Sequence, residues 1–207
     1  MPLYPIDSNK LFSFGLDTLK TQGWVIERIP KCGKSSLRRI SKGQVSHVVC
    51  LKTSQNGSIG FQRNDVGGWV TLTDADVVVV VSLDVVNPLY IKVHFFSARD
   101  VEEQLNRRYQ ARKDANHKLS EQHSIWLELY SPDKDDLPSY VGNGLGLNPE
   151  TMIAHKLVKE IVSLYHPTTE LVGEVAVEEP LTIAEAKKRL ASTYSVDVSA
   201  IKIIIEM

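Results

Sequence analysis

Residues 48–57 read VVCLKTSQNG, and this stretch decides the fold. An apolar run carries one lysine, Lys52, to its end, and Asn56-Gly57 follows as the strongest short signal for a β-hairpin. A turn of that kind needs positive φ at both central residues, which Asn and Gly tolerate best. We therefore predict a strand over residues 44–54, a tight turn, and a returning strand over residues 58–63.

Further strands are predicted on both sides of this hairpin. Residues 77–83 read VVVVVSL, a β-branched run that is typical of a strand buried on both faces of a sheet. Apolar patterns and turn signals also predict strands over residues 24–29, 36–41, 89–96 and 125–130. We expect the middle of the chain to be an antiparallel meander around the buried strand.

Three helices are predicted around the strands. The first begins at Asp7 or Ser8, which both suit a helix N-cap, and ends before Gly23. The second begins after Ser97 and runs to about residue 114. Asn148 followed by Pro149 predicts a third helix that ends near residue 165. The expected fold class is α+β, with a central mixed, largely antiparallel sheet flanked by helices.

The chain is expected to consist of a main domain and a short tail. Residues 1–166 form the α/β main domain, and residues 167–180 form an acidic linker that contains four glutamates. Residues 181–207 predict a small unit of one helix and one strand, which is too short to fold alone. We expect this unit to dock on the main domain, on a second copy of the chain or on a partner protein.

Composition limits the classes of partner. The formal net charge of the 207-residue chain is −1, so binding to a polyanion would depend on local basic patches. No apolar run approaches the roughly 20 residues that a membrane-spanning helix needs. The first residues lack the pattern of a secretory signal, and Cys32 and Cys50 form no C-x-x-C pair. We expect a soluble cytoplasmic protein with reduced thiols and no membrane partner.

The order of these elements resembles the PD-(D/E)xK nuclease-like fold. Residues 49–54 are similar to the strand that carries the (D/E)-x-K element in that family, with Lys52 in the place of its lysine. Residues 60–63 and 76–91 are similar to the strands that follow in several small members of the family. The resemblance covers roughly residues 9–115 and implies a restriction-endonuclease-like core.

The resemblance also implies site residues. Nucleases of this family hold Mg²⁺ with an Asp and with an acid two residues before the lysine, which helps to activate the attacking water. Here the residue two positions before the lysine is Cys50, and a thiol is a poor ligand for Mg²⁺. The nearest upstream acid is Glu27, on a neighbouring predicted strand, and it would substitute for the missing carboxylate. Mg²⁺ is expected only if catalysis is retained, and no other cofactor or metal is expected.

Lys52 therefore has three interpretations. It belongs to an active metal-dependent nuclease, with Glu27 as the second catalytic residue. Alternatively, it is an ordinary surface or ion-paired lysine at the end of a strand. Between the two lies a descendant of the nuclease fold that has lost catalysis and has kept a surface for nucleic acid.

Basic residues occur in two groups that would contact DNA or RNA phosphates. The first group consists of Lys31, Lys34, Arg38, Arg39 and Lys42. The second includes Arg108 and Arg112, which share one face of the predicted second helix because they are four residues apart. Acidic residues flank the second group, so a solvated face of mixed charge is the alternative interpretation there.

The sequence lacks the motifs of three other common kinds of site. Gly33-Lys34-Ser35 lacks the upstream glycine of a phosphate-binding P-loop. No Cys/His spacing matches a zinc site, and no G-x-S-x-G turn is present for a nucleophilic serine. Residues 69–76, 104–111, 125–127 and 181–191 resemble a group of uncharacterised bacterial proteins, which implies a bacterial cytoplasmic setting and the layout of a domain with a tail.

Two functional hypotheses follow. In the first, the protein associates with nucleic acid through a nuclease-like core that has lost metal-dependent catalysis. In the second, it is an interaction or regulatory protein that self-associates, or docks a partner, through residues 181–207. The two hypotheses are compatible, because they use different parts of the chain.

Overall fold

The computed structural model describes residues 6–29, 37–119, 122–165, 187, 191 and 197–202. The chain divides into two compact units, Met1–Pro167 and Thr168–Met207. The predicted linker and most of the predicted tail lie outside the described residues. In the second unit, a 3₁₀ turn at Val198–Ala200 is capped by Asp197, whose side chain accepts a hydrogen bond from the backbone of Ser199.

Within the described residues, the first unit contains three α-helices and eight strands. The helices are α1 (Ser8–Thr21), α2 (Ala98–Asp114) and α3 (Val158–Tyr165). The strands are β1 (Val25–Arg28), β2 (Leu37–Lys42), β3 (Val45–Ser54), β4 (Ser58–Gln62), β5 (Val77–Leu83), β6 (Tyr90–Ser97), β7 (Ser124–Glu128) and β8 (Met152–Leu157). None of the described helices is long and apolar enough to cross a membrane.

A six-stranded sheet in the order β1-β2-β3-β5-β6-β8 forms the centre of the unit. β3 and β5 are parallel, and the other four neighbouring pairs are antiparallel. The predicted α+β class and the mixed, largely antiparallel sheet are therefore confirmed. β5 lies inside the sheet with all seven residues buried, as its β-branched sequence predicts.

The two faces of the sheet bury different layers. On the first face, Val79 and Val81 pack in one apolar cluster with residues of α1 and α3. On the second face, Val78 and Val80 pack in another cluster with residues of α2 and of the separate two-stranded sheet β4-β7. Successive side chains of a strand alternate between faces, so the even-numbered residues of β5 point toward α2 and β4-β7.

The predicted hairpin at Asn56-Gly57 is wrong in its pairing. The chain does reverse there, with φ of +74° at Gly57, but Asn56 is not in the positive-φ region. β4 does not return along β3, because β5 occupies that edge of β3 in parallel. β4 instead lies over the second face and pairs with β7. Burial of the apolar β5 between two strands outweighs the local turn preference, so the predicted antiparallel meander fails at this pair.

The predicted helix from Asn148 to residue 165 is wrong in its first half. Asn148 caps only a short 3₁₀ turn at Pro149–Thr151, and β8 follows before α3 begins. β8 pairs with the outer edge of β6, with a register shift between Val93 and His94. The backbone groups of β6 thereby gain partners on both sides, which a helix at this position would not supply. The predicted starts of α1 and α2 are confirmed, with Asp7 capping α1.

Candidate functional site

Lys52 lies on the second face of the sheet, where β4 covers it. Its ammonium donates a hydrogen bond to the Gly60 carbonyl at 3.2 Å and lies 4.4 Å from the centre of the Phe61 ring. No carboxylate of the described residues lies within ion-pair distance of this ammonium. Lys52 is thus held by the neighbouring strand rather than presented in an acidic cleft.

The other nuclease-like positions do not form a metal site. Cys50 is fully buried, with its sulfur 3.6 Å from the Thr71 hydroxyl. Glu27 faces Arg39, which faces Val48 in the register of the sheet. Glu27 therefore lies roughly 10 Å across the sheet and about 13 Å along it from Lys52. The Mg²⁺ that the resemblance implies does not fit these residues, because no carboxylate oxygen is placed beside Lys52.

No other described group offers an obvious metal site. Across the described part of the chain, no three His, Cys, Asp or Glu residues lie close enough to hold an ion. Asp76, the acid that precedes β5, accepts a hydrogen bond from the backbone N–H of Val48 at 2.7 Å. This carboxylate anchors the start of the parallel pair and has a structural role.

The described members of the first predicted basic group do not share one surface. Lys31 and Lys34 lie outside the described residues. Arg38 and Arg39 are consecutive on β2, so they point to opposite faces of the sheet. Arg38 lies 5.3 Å from the Phe12 ring, and Lys42 donates a hydrogen bond to the Gln22 carbonyl at 2.8 Å.

Arg108 and Arg112 also differ from the prediction that they contact phosphate. Arg108 is buried, and its guanidinium donates to the carbonyls of Val141 and Trp126 and to the side chain of Asn143. Arg112 is half-buried and lies 3.3 Å from a ring nitrogen of His123. Arg108 ties α2 to β7 and to the loop around residue 142, so it is a structural arginine and not a surface ligand for phosphate.

A cluster of polar side chains on the second face was not predicted. It surrounds an open cavity of about 280 Å³ beside the end of β5, which we call the Tyr130 pocket. The pocket is lined by Asp84, Val86, Lys92, His94, Tyr130, Gly146, Leu147, Pro149 and Met152. Concave sites that combine apolar walls with a few convergent polar groups are the usual form of a ligand-binding site.

The register of the sheet places the polar members of this cluster on one face. Ser82 at the end of β5 pairs with Lys92 on β6, and the neighbouring Val80 pairs with His94. Lys52 pairs with Val80 from the other side, so Lys52 and His94 lie on the same face, two strands apart. Lys52 therefore points toward the layer that contains the Tyr130 pocket, although it does not line the pocket.

Tyr130 follows β7 and is held between two glycines. A Cβ atom at Gly146 would lie 2.8 Å from the Tyr130 ring, and one at Gly57 would lie 3.1 Å from it. Real Cβ atoms do not approach a ring this closely without displacing it. The Asn-Gly turn and the glycine-rich loop before Pro149 are thus required for the ring to occupy the floor of the pocket.

His94 is buried and both of its ring nitrogens are engaged. Nδ1 lies 3.1 Å from the Thr151 hydroxyl, and Nε2 lies 3.2 Å from the Tyr130 hydroxyl. The Thr151 hydroxyl donates its single proton to the Asn148 carbonyl, so we infer that Nδ1 carries the imidazole proton. Nε2 then accepts a hydrogen bond from Tyr130.

Burial keeps both members of this pair neutral. It lowers the pKa of His94 to about 4, and the positive charge of Lys92 acts in the same direction. Burial likewise raises the pKa of Tyr130 to about 12; a hydrogen bond with Ser82 opposes this increase, and the charge of Asp84 makes a smaller contribution that adds to it. Because burial favours the neutral form of both groups, the pair forms an uncharged floor for the pocket.

Asp84 and Lys92 carry the charges of the pocket. The Lys92 ammonium lies 2.9 Å from an Asp84 oxygen and 4.8 Å from the centre of the Tyr130 ring. Burial alone would raise the pKa of Asp84. Hydrogen bonds from Lys92 and from the backbone of Val86 and Asn87 outweigh that effect and hold its pKa below the ordinary value. Asp84 is therefore a stable carboxylate that orients Lys92.

No family model matches this chain, and neither a curated protein nor a solved structure is significantly similar to it.

Proposed function

We propose that this protein binds a small organic molecule in the Tyr130 pocket. The observation that supports the proposal is the convergence of Lys92, His94 and Tyr130 on one open cavity of about 280 Å³. Residues with strongly shifted pKa values in a concave site are characteristic of functional sites. Lys52 is a weaker candidate, because it does not line the pocket.

The cavity also has features that a purely structural cluster does not require. Val86 and Leu147 stand at its rim with 88% and 54% of their surface exposed. Apolar side chains at the rim of a concave site with a polar floor fit the usual composition of a ligand-binding site. A bound molecule would cover these side chains and meet the polar groups beneath them.

Leu147→Arg is expected to abolish binding in the pocket, because the longer side chain would fill its entrance. Leu137→Arg is the matched control, since Leu137 is also exposed (42%) and does not line the pocket. We expect ligand-observed NMR on a chemically diverse fragment library to give binders that the control retains and that Leu147→Arg loses. Binders that persist equally in both variants would place the ligand site elsewhere.

A second proposal concerns nucleic acid. One observation favours it: Arg28 and Arg38 face each other on β1 and β2 at the edge of the sheet. Burial lowers the pKa of Arg38, and the neighbouring charge of Arg28 lowers it further. A phosphate placed between two such guanidinium groups would relieve their repulsion. We propose that this edge associates with DNA or RNA without metal-dependent cleavage.

The double variant Arg28→Ala, Arg38→Ala is expected to weaken such binding and to make it less dependent on salt, because it removes both facing guanidinium groups. Each lost phosphate contact lowers the slope of log K against log salt by about 1. Fluorescence anisotropy with single- and double-stranded oligonucleotides measures both quantities. The control variant Arg99→Ala, Lys113→Ala removes two exposed charges from α2. Absence of binding to any oligonucleotide at low salt would contradict the proposal, and cleavage that Lys52→Ala abolishes would contradict the loss of catalysis.

A further inference from the structure

We infer that the molecule bound in the Tyr130 pocket is a small carboxylic acid with an apolar body, held through its carboxylate by Lys92. This inference rests on the proposed function of the pocket and specifies its ligand. Three properties of the pocket lead to it: the hydrogen-bonding capacity that each charged group has left, the apolar character of the remaining walls, and the size of the cavity.

The acid of the pocket has little capacity left for a ligand. One Asp84 oxygen accepts from the backbone N–H of Val86 at 3.0 Å, and the other accepts from Lys92 at 2.9 Å. The backbone of Asn87 donates a further hydrogen bond, and His155 lies 3.9 Å away. A cationic ligand would have to compete with all of these donors for a carboxylate that is itself 9% exposed.

The lysine of the pocket does have capacity left. An ammonium group has three protons, and Asp84 accepts one of them. The Tyr130 ring faces the same ammonium, and no third acceptor for it is found among the described residues. The Lys92 side chain is 22% exposed, so a ligand can reach it. The group that Lys92 binds most strongly is an anionic acceptor.

The other polar groups of the floor are used within the protein. Tyr130 and His94 hydrogen-bond to each other, and His94 also contacts Thr151. These two residues therefore offer ring surface rather than free donors. The remaining walls are mainly apolar and consist of Val86, Leu147, Pro149 and Met152. The part of the ligand beyond its charged group must accordingly be apolar.

Size and charge favour a carboxylate over a phosphate. A cavity of about 280 Å³ lies at the lower end of the range for small-molecule sites, so it admits roughly the size of a small metabolite. Phosphate sites usually combine several donors, such as arginine, a helix N-terminus or a glycine-rich loop of backbone N–H groups. Lys92 is the only cationic side chain that lines this pocket in the described part of the chain, which suits a group of single negative charge.

Three probes of equal length test the inference: 3-phenylpropionate, its primary amide and 3-phenylpropylamine. On the wild-type protein, calorimetric titration is expected to show binding of the acid that is about tenfold tighter than that of the amide, because the amide offers Lys92 a neutral acceptor in place of a charged one. The amine is expected to bind least. Phenyl phosphate is included as the competing source of negative charge, and it should bind more weakly than the acid.

Lys92→Met is expected to remove the preference for the acid, whereas Lys156→Met should not, because Lys156 is exposed on β8 and does not line the pocket. Since Lys92→Met leaves Asp84 without its cation, the double variant Lys92→Met, Asp84→Asn provides a second test in which no buried charge is unpaired. The double variant should bind acid and amide with similar affinity, and Lys92→Met should bind the acid no more tightly than the amide, because the unpaired Asp84 carboxylate repels it.

The outcomes separate the inference from the proposed function. Equal binding of acid and amide to the wild type, with both still blocked by Leu147→Arg, would overturn the carboxylate assignment and leave the pocket as the binding site. Tighter binding of phenyl phosphate than of the acid would overturn the assignment in the same way. If neither the probes nor any member of the fragment library binds the wild type, the proposed function itself fails.

Discussion

Replacing Arg108 with methionine is expected to lower the free energy of unfolding by about 3–4 kcal/mol. The methionine fills a similar apolar volume but donates no hydrogen bond. The variant therefore leaves buried carbonyls of Val141 and Trp126 and the side chain of Asn143 without their donor. Denaturation in urea, followed by circular dichroism, measures the change.

The neighbouring Arg107 provides the control. It lies on the same helix and forms ion pairs with Asp133 at 2.7 Å and Asp135 at 2.6 Å, but water reaches these side chains, which are 36% exposed at Arg107, 34% at Asp133 and 85% at Asp135. Exposed ion pairs contribute at most about 1 kcal/mol. Arg107→Met should thus cost much less than Arg108→Met, and equal effects of the two substitutions would contradict the structural role of Arg108.

The second large effect is a loss of stability at acid pH that depends on His94. The folded protein holds the pKa of His94 at about 4, whereas the unfolded chain has the ordinary value of 6.5. Between these values only the unfolded state binds the proton, so stability is lost as the pH falls from 6.5 to about 4. Because one pKa unit corresponds to about 1.4 kcal/mol, the loss amounts to about 3 kcal/mol.

Comparison with His94→Gln isolates this contribution from other groups that titrate in the same range. The variant should be less stable than the wild type at pH 7, because it lacks the bonds to Thr151 and Tyr130. The difference in unfolding free energy should then shrink by about 3 kcal/mol at pH 4. Urea denaturation at pH 7, 5.5 and 4 measures this, and parallel pH profiles for the two proteins would contradict the prediction.

Most elements of the fold could be predicted because their sequence signals are local. The mainly apolar β5 and the starts of α1 and α2 occur where the residue patterns predict them. Pairing is less predictable, since it depends on competition between distant strands. Nothing near Asn56-Gly57 indicates that β5 will take the edge of β3 and that β4 will pair with residues 124–128 instead.

The pocket had a partial signal in the sequence. Ser82 interrupts an otherwise apolar strand, and Lys92 and His94 fall two residues apart in the next strand, so all three require polar partners if they are buried. Their partner, Tyr130, follows 36 residues after His94 and lies beyond the end of β7, although the residue pattern predicts a strand that extends to residue 130. The nuclease-like interpretation predicted a site at Lys52. That residue lies on the same face of the sheet as the Tyr130 pocket but does not line it.

The position of β5 also has a consequence for biosynthesis. Its seven residues carry no charge, and an uncharged β-branched segment is prone to self-associate while it waits for partners. Asp74 and Asp76 precede this segment and Asp84 follows it, and charges at the ends of such segments oppose pairing with other chains. The carboxylates that later anchor β3 and orient Lys92 thus also protect the newly synthesised chain from aggregation.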